Sequence, residues 1–341
     1  MYKVGIIGFG KMGMLHGALL LGAEQIKLCA ICDKSVVMRW GFKRVYKNVH
    51  VYSDAKQMFE HEHLDIVVVT TPTFNHMESI ELAIENGCAV FVEKPLAINV
   101  KQAERIVNLA QDKKIPVQVG FCNRFYPSVI KAKELLNNNE LGTIQKVKAE
   151  MYIADVFEEH SGWRYCPELS GGGVLVDFGI HMIDLLVHLF GEIKSVKGTT
   201  RKLYSKYVED EATAEFEFQS GMNCYFETSW SKQEYRKSYT RIEIHGDKKY
   251  MVITDQTLEI NNVNGEKQES FAYPQLYAGT FMDIGGSFFS EQIKCFLQRV
   301  SCGNGFNKVE GCTPEQALYV QRVIETIYQS DLEKAKVGIG G

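Results

Sequence analysis

The run Val4 to Gly13 reads V-G-I-I-G-F-G-K-M-G, an apolar strand passing directly into the spacing Gly8-x-Gly10-x-x-Gly13. A second apolar run, Ile26 to Cys32, ends twenty residues beyond Gly13 at Asp33. Few chains with this opening can build anything except a β-α-β unit, because each glycine answers a separate steric demand. Gly8 permits the tight turn, Gly10 lets a ligand approach the backbone, and Gly13 lets the following helix pack closely on the strand. The helix then aims its free N–H groups at an anion, as a pyrophosphate requires. Three glycines alone also mark ordinary turns. With the strand, the helix and the acid at these intervals, the pattern is that of a dinucleotide cradle.

The rest of the first 120 residues keeps the same grammar. Apolar runs at Lys3–Ile7, Ile26–Ile31, Asp65–Thr70, Ala89–Val92 and Val117–Gly120 read as buried strands, with Val49–Tyr52 a shorter candidate. Amphipathic stretches such as His76–Asn86 and Val100–Lys113 lie between them. Gly87 is placed to close the first, and Pro116 stops the second. Apolar strands separated by helices imply a parallel sheet covered on both faces.

After about residue 121 the texture changes. Pro127–Asn139 reads as a helix, Thr143–Ile153 as extended, and Val174–Phe190 as a helix after a glycine-rich turn. From Ser195 to Val263 the chain reads as long antiparallel strands. Two of them are joined by a turn at Gln219-Ser-Gly221, and Arg241–Ile244 pairs with Tyr250–Thr254 around His245-Gly246-Asp247. Helices at Phe288–Val300 and Pro314–Gln329 follow. The expectation is an α/β protein. A doubly wound parallel-sheet domain over residues 1–121 precedes an α+β domain over 122–341, whose large open sheet is mainly antiparallel. The final helices are expected to pack back on the first domain. One face of the second sheet needs cover, which points to a homodimer or homotetramer through it.

Bulk properties narrow the partners. At 341 residues two domains are expected, and 45% hydrophobic with 23% charged residues describes a globular chain. A net charge of −4 gives no electrostatic reason to expect nucleic acid or anionic lipid. No apolar stretch approaches a membrane span, and the N-terminus enters a strand without a charged segment and apolar h-region, so a cytoplasmic protein is expected. The nine cysteines show no repeated spacing. Cys29 and Cys32 form a C-x-x-C, but residues three apart in a strand face opposite sides, so they read as small buried hydrophobes and not as a metal pair. His61-Glu62-His63 reads as a solvated face, and no metal is expected.

Three further segments carry chemistry. Glu93-Lys94-Pro95 follows the strand Ala89–Val92, at the edge where a doubly wound sheet binds ligands; a lysine held by a following proline is placed to present a charge there. In Gly171-Gly-Gly-Val-Leu-Val-Asp177-Phe-Gly-Ile-His181-Met-Ile-Asp184, Asp177 and His181 are four apart and share a helix face. A single histidine on an apolar helix is usually a satisfied core group. With a carboxylate one turn earlier, behind three glycines that let a substrate or cofactor approach, it reads better as an oriented general base. Asp184 and His188 read as structural. Thr70-Thr71-Pro72-Thr73-Phe74-Asn75-His76 opens a helix at the same ligand edge, either as a helix cap through Thr73 or Asn75 or as part of the cofactor floor.

These motifs, with Gly120-Phe-Cys-Asn-Arg124-Phe-Tyr-Pro127 and with Tyr328 and Ser330 near the end, occur in an order that resembles the glucose–fructose oxidoreductase / inositol dehydrogenase / rhizopine catabolism (GFO/IDH/MocA) family of NAD(P)-dependent oxidoreductases. The resemblance runs nearly the whole chain. It implies a Rossmann domain and a second, substrate-binding and oligomerising domain. It also implies hydride transfer between nicotinamide and a secondary alcohol of a sugar, sugar derivative or cyclic polyol such as inositol, a dehydrogenase acting on CH–OH groups. By that similarity Lys94 is the catalytic lysine, His181 the acid/base and Asp177 a substrate-binding partner. Gly8, Phe9, Gly10, Lys11, Met12, Gly13, Asp33, Lys34, Thr71, Pro72, Asn75, His76, Glu93 and Lys94 bind the cofactor. Arg124, Trp163 and Arg164 line the substrate end, with Arg124 as an ion-pair partner and Trp163 as a core residue the alternatives. Asp33 favours NAD by accepting from the ribose hydroxyls and repelling a 2′-phosphate. Lys34, Arg39 and Lys43 keep NADP open. The other functions open to such a chain are an NADPH-using keto-sugar reductase and a non-catalytic dinucleotide sensor.

Overall fold

Strands as apolar as those of the N-terminal third cannot leave either face in water. In the computed structural model, which describes residues 1–262, 264, 266–272, 286–302 and 310–340, they are enclosed accordingly. The chain divides into two units, Met1–Phe121 with Phe289–Leu318, and Cys122–Phe288 with Tyr319–Gly341.

The first unit alternates β1 (Tyr2–Ile7), α1 (Lys11–Leu21), β2 (Ile26–Cys32), α2 (Val36–Val45), β3 (His50–Tyr52), α3 (Ala55–His61), β4 (Ile66–Val69), α4 (His76–Glu85), β5 (Ala89–Val92), α5 (Val100–Lys113) and β6 (Val117–Val119). All six strands pair in parallel, in the order β3-β2-β1-β4-β5-β6. β4 and β5 are buried along their whole length. The chain winds outward from β1 to β3 and then returns to the other side of β1, so a ligand crevice opens at the carboxyl ends of β1 and β4. Local signals set the helix limits. Asn99 accepts from the Gln102 N–H at the start of α5, and Lys114 closes that helix in the left-handed region two residues before Pro116. The outer edge of β6 is not left bare: Val119 N–H donates to the Cys312 carbonyl at 2.9 Å.

The second unit is built on a nine-stranded sheet. Its elements are α6 (Pro127–Asn137), β7 (Ile144–Tyr152), α7 (Pro167–Ser170), α8 (Ile180–Phe190), β8 (Ile193–Arg201), β9 (Glu211–Phe218), β10 (Asn223–Ser229), β11 (Tyr239–Gly246), β12 (Lys249–Thr254), β13 (Thr257–Asn262) and β14 (Lys267–Ala272). Later in the chain, α9 (Ser287–Ser301) falls almost wholly in the first unit, most of α10 (Pro314–Glu333) belongs to the second, and β15 (Val337–Gly338) adds a last short strand to its sheet. The order is β14-β13-β12-β11-β7-β10-β9-β8-β15, antiparallel throughout except for the parallel pair β7–β10. Alternation decides which face is covered: in β11 every second residue (Thr240, Ile242, Ile244, Gly246) is buried. The hairpins expected around Gln219–Gly221 and His245–Asp247 form in the registers Phe216↔Cys224 and Ile242↔Ile253. Val263, where the antiparallel run was expected to end, lies outside the described residues.

Two expectations need correction. The helix expected over Val174–Phe190 is not uniform, because Leu175–Gly179 forms a π turn and only then does α8 begin. Moreover, one described segment, Pro167–Phe190, does reach the length and apolarity of a membrane span. That segment is broken by Gly171 in the left-handed region, and most of its apolar stretch is buried inside the molecule.

Candidate active site

The glycine turn of the first unit shows three different reasons for three glycines. Gly8 has φ +88°, and a side chain there would meet the Thr71 main chain at 2.7 Å. At Gly13 a Cβ would lie 2.3 Å from the Gly8 carbonyl oxygen. At Gly10 nothing lies within 4 Å of that position. Gly8 and Gly13 are therefore required by the fold itself, whereas among the described residues none crowds Gly10. Helix α1 starts at Gly10 without a side-chain cap and with no acid in its first turn, which leaves its N–H groups and dipole available to an anion. These residues fit a dinucleotide pyrophosphate, with Phe9, Lys11 and Met12 filling the turn.

This difference makes a prediction. Gly10→Ala should fold with a Tm close to that of the wild type and weaken NAD binding by at least tenfold, read by calorimetric titration. Gly13→Ala should lower stability as well, because main chain cannot move away from its Cβ. Equal NAD affinity in Gly10→Ala would remove Gly10 from the cradle.

Asp33 ends β2 at the same edge. Its Oδ2 accepts from Phe9 N–H at 2.6 Å and its Oδ1 from Ser35 N–H at 2.7 Å, which fixes the carboxylate beside the glycine turn. A carboxylate oxygen has a second lone pair for a ribose hydroxyl. Lys34 is exposed, and Arg39 donates from Nη1 to the main-chain oxygens of Asp33 and Lys34 at 2.6 and 2.8 Å. Thr71, Pro72 and Asn75 follow β4, and neither Thr73 nor Asn75 caps the following helix with its side chain.

His76 needs a different reading from the cofactor floor. It is only 1% exposed, its Nδ1 lies 2.8 Å from the Pro95 carbonyl and its Nε2 2.9 Å from that of Thr71. Both ring nitrogens face main-chain carbonyls, and burial holds its pKa below the usual histidine value, so the neutral ring donates to one of the two. His76 clamps the segment after Lys94 to the segment after β4. The Lys94-Pro95 bond is cis. Glu93 accepts the Lys94 N–H at 3.2 Å, and its other oxygen lies 2.6 Å from Nε2 of the fully buried His16 on α1. Glu93, expected at the cofactor, is itself only 8% exposed. Its visible work is to hold the Lys94 main chain.

In the second unit Asp177 lies in the π turn, and His181 is the second residue of α8. A π turn inserted into a helix re-aims the side chains it carries and is frequent at functional sites. Arg164 donates to Asp177 Oδ2 from Nε at 2.8 Å and from Nη2 at 2.5 Å, and its Nη1 pairs with Asp155 at 2.8 Å. Burial opposes the Arg164 charge, but the carboxylates of Asp177 and Asp155 outweigh it and raise its pKa. The guanidinium also lies 5.2 Å from the ring centre of Trp230, which is fully buried. Trp163, 39% exposed, occupies the short 3-10 turn beside Arg164.

Arg124 departs from the substrate-lining expectation. It donates from Nε and Nη2 to the two oxygens of Asp184 at 2.9 and 2.6 Å, and both side chains are almost wholly buried. A guanidinium committed in this bidentate manner is an internal tie. His188 lies beside the same pair and 3.2 Å from Lys133 Nζ. Burial, then the charges of Arg124 and Lys133, push its pKa down to about 3.

The triple glycine is also used differently from expectation. A Cβ at Gly172 would lie 2.1 Å from the Tyr328 hydroxyl, and one at Gly173 would lie 2.2 Å from the Glu209 carbonyl oxygen. These glycines admit the second unit's own atoms. His16, Asp155, Glu209, Asp210, Trp230 and Tyr328 were not singled out as site residues by the sequence. Their partners are distant in the chain, and no local spacing flags them.

A glycine-turn dinucleotide cradle with an acid on the next strand, followed by a unit carrying an Asp–His helix, defines an NAD-binding oxidoreductase. Comparison with known proteins agrees. The model of the oxidoreductase family with an NAD-binding Rossmann fold matches residues 2–121, and that of the GFO/IDH/MocA C-terminal domain matches residues 129–252. The chain belongs to the GFO/IDH/MocA family. It is 28% identical to the D-glucoside 3-dehydrogenase of Escherichia coli (strain K12), over 77% of this chain and 80% of that one. It is 24% identical to the inositol 2-dehydrogenase of Rhizobium meliloti (strain 1021), over 88% and 89%. Among solved structures, levoglucosan dehydrogenase in complex with NADH and levoglucosan superposes with a TM-score of 0.87 at 21% identity, covering 100% of both chains, which shows the shared fold.

Proposed function

We propose that this oxidoreductase oxidises a secondary alcohol of an uncharged sugar, sugar derivative or cyclic polyol, with NAD preferred over NADP. The supporting observation is that Gly8–Gly13, Asp33 and Glu93-Lys94 all follow strands of one parallel sheet at their carboxyl ends, so the nucleotide cradle and an ammonium group share an edge. Bound NAD supplies the hydride acceptor. The chain supplies the proton chemistry: His181 takes the hydroxyl proton, and the Lys94 ammonium stabilises the developing alkoxide. Asp177 and Arg164 bind and orient the substrate, with Trp163 beside them. Because two carboxylates already neutralise Arg164, a neutral polyol suits this group better than a phosphate ester. The named relatives act on glucosides and inositols, in line with this chemistry. We also assign the first unit to the cofactor and the second to substrate and self-association. Homodimers or homotetramers would form through the sheet face where Lys148, Glu150, Tyr225, Glu227, Arg241 and Glu243 alternate with the buried residues and stay partly exposed among the described residues. We propose a cytoplasmic location for the protein.

Incubation with NAD or NADP and a panel of sugars and inositols, followed by the absorbance of the reduced nicotinamide, tests the reading. Turnover with at least one neutral polyol is expected, with higher kcat/KM for NAD. Asp33→Ala should lower kcat/KM for NAD and move the preference towards NADP. A wild-type preference for NADP refutes the cofactor assignment, and firm NAD binding without turnover of any substrate refutes the dehydrogenase.

A further inference from the structure

Two consecutive acids, Glu209 and Asp210, stand immediately before β9, 5% and 0% exposed. A carboxylate this deeply buried needs a dense set of donors. Each acid has one, and the two sets lead to the two sides of a single ion pair.

Glu209 captures the start of the helix that carries Asp177 and His181. Its carboxylate accepts from Gly173 N–H at 3.0 Å and from Leu175 N–H at 2.9 Å, and its main-chain oxygen accepts from Val174 N–H at 2.9 Å. Three successive N–H groups, those a helix start leaves without internal partners, are thereby held by one residue. Tyr328 on α10 donates to the same carboxylate at 2.9 Å, and Gly172 and Gly173 are small enough to let both groups in. The π turn follows directly.

Asp210 works on the other partner. Its Oδ1 accepts from Trp230 Nε1 at 2.6 Å and from the Ser205 hydroxyl at 2.5 Å. Its Oδ2 accepts from the main-chain N–H groups of Leu203, Tyr204 and Ser205 at 2.6–2.8 Å. Trp230 so fixed lies against the Arg164 guanidinium, which grips Asp177. The two acids differ in their protonation energetics. Burial raises the Glu209 pKa, whereas the donors around Asp210 outweigh its burial and lower its pKa.

We propose that Glu209 and Asp210 are a paired positioning device for the reacting groups: Glu209, with Tyr328, sets the helix start that presents Asp177 and His181, and Asp210, through Trp230, sets Arg164 against Asp177. The proposal rests on the assignment of Asp177 and His181 to the reaction. Both acids are buried and committed to protein donors, so they act through geometry, and a displacement of about 1 Å in a reacting group costs on the order of a hundredfold in rate.

The test compares Glu209→Gln, Asp210→Asn and the milder Tyr328→Phe in the full chain. Amide hydrogen exchange, NAD affinity, thermal stability and steady-state turnover with the best polyol of the panel are measured. Glu209→Gln should lose protection at Gly173 and Leu175 by tenfold or more, and kcat should fall by about 10- to 100-fold with the NAD Kd within about twofold. Tyr328→Phe should move both readouts in the same direction by less, with little change in Tm, and Asp210→Asn should lower kcat/KM for the polyol at constant NAD Kd. Lost protection with unchanged kcat would reduce Glu209 to a structural cap and overturn the proposal, as would wild-type protection in Glu209→Gln. Should the wild type turn over no polyol, the dehydrogenase reading fails separately, and the exchange result in Glu209→Gln and Tyr328→Phe decides the positioning role.

Discussion

Lys94→Ala and His181→Ala should each lower kcat by about two to four orders of magnitude while leaving the NAD Kd within about twofold. General acid–base catalysis by a positioned side chain contributes about 10²- to 10⁴-fold, and removal of one stabilising donor from a developing oxyanion costs about 10²- to 10³-fold. NAD affinity should survive because the cradle is built from Gly8–Gly13 and Asp33. Asp33 is held there by the Phe9 and Ser35 N–H groups, which neither substitution touches. The Lys94 main chain is fixed independently by Glu93, with His16 behind it, so truncating its side chain leaves the loop in place. If the two groups serve one proton transfer, the double variant should be little slower than the worse single one. Wild-type turnover in either single variant would refute the proposed chemistry.

Arg124→Leu should unfold the second unit more readily by about 3–5 kcal/mol, because it leaves the fully buried Asp184 without its bidentate cation. For a domain of this size a loss of 1 kcal/mol moves Tm by about 2–4 °C, so the fall should be roughly 10 °C by differential scanning calorimetry. Replacing both members, Arg124→Leu with Asp184→Leu, should recover much of the loss, since a buried ion pair costs desolvation that apolar packing does not. A normal Tm with a raised KM for the polyol would instead return Arg124 to the substrate site.

The two substitutions separate what could be read from the chain and what could not. The cradle was legible because its signals are local. Gly8 with its positive φ and Gly13 against the Gly8 carbonyl belong to one turn, Gly10 completes their spacing, and Asp33 follows at the end of the next strand. Glu93-Lys94-Pro95 could be placed at the ligand edge by counting strands. Arg124 shows the limit. It stands beside motif residues, and nothing in its neighbourhood of sequence reveals that Asp184, sixty residues away, neutralises it. His76 is similar, since its two carbonyl partners come from opposite sides of it in the chain. The glycines at 171–173 read as a place of close approach, but what approaches Gly172 and Gly173 is Tyr328 and Glu209.

Sequence alone therefore determined the strand–helix alternation of the first unit and the spacing Gly8-x-Gly10-x-x-Gly13 with Asp33 after the next strand, because periodicity and turn sterics act over a few residues. The tertiary structure decided the rest. It set the parallel pairing of β7 with β10, the π turn that re-aims Asp177, the burial of Arg124 with Asp184, and the hold of Glu209 and Asp210 on the second unit's site. Apart from the π turn, each of these joins residues remote in the chain, and their hydrogen-bond and charge partners are fixed only when the sheet brings them together.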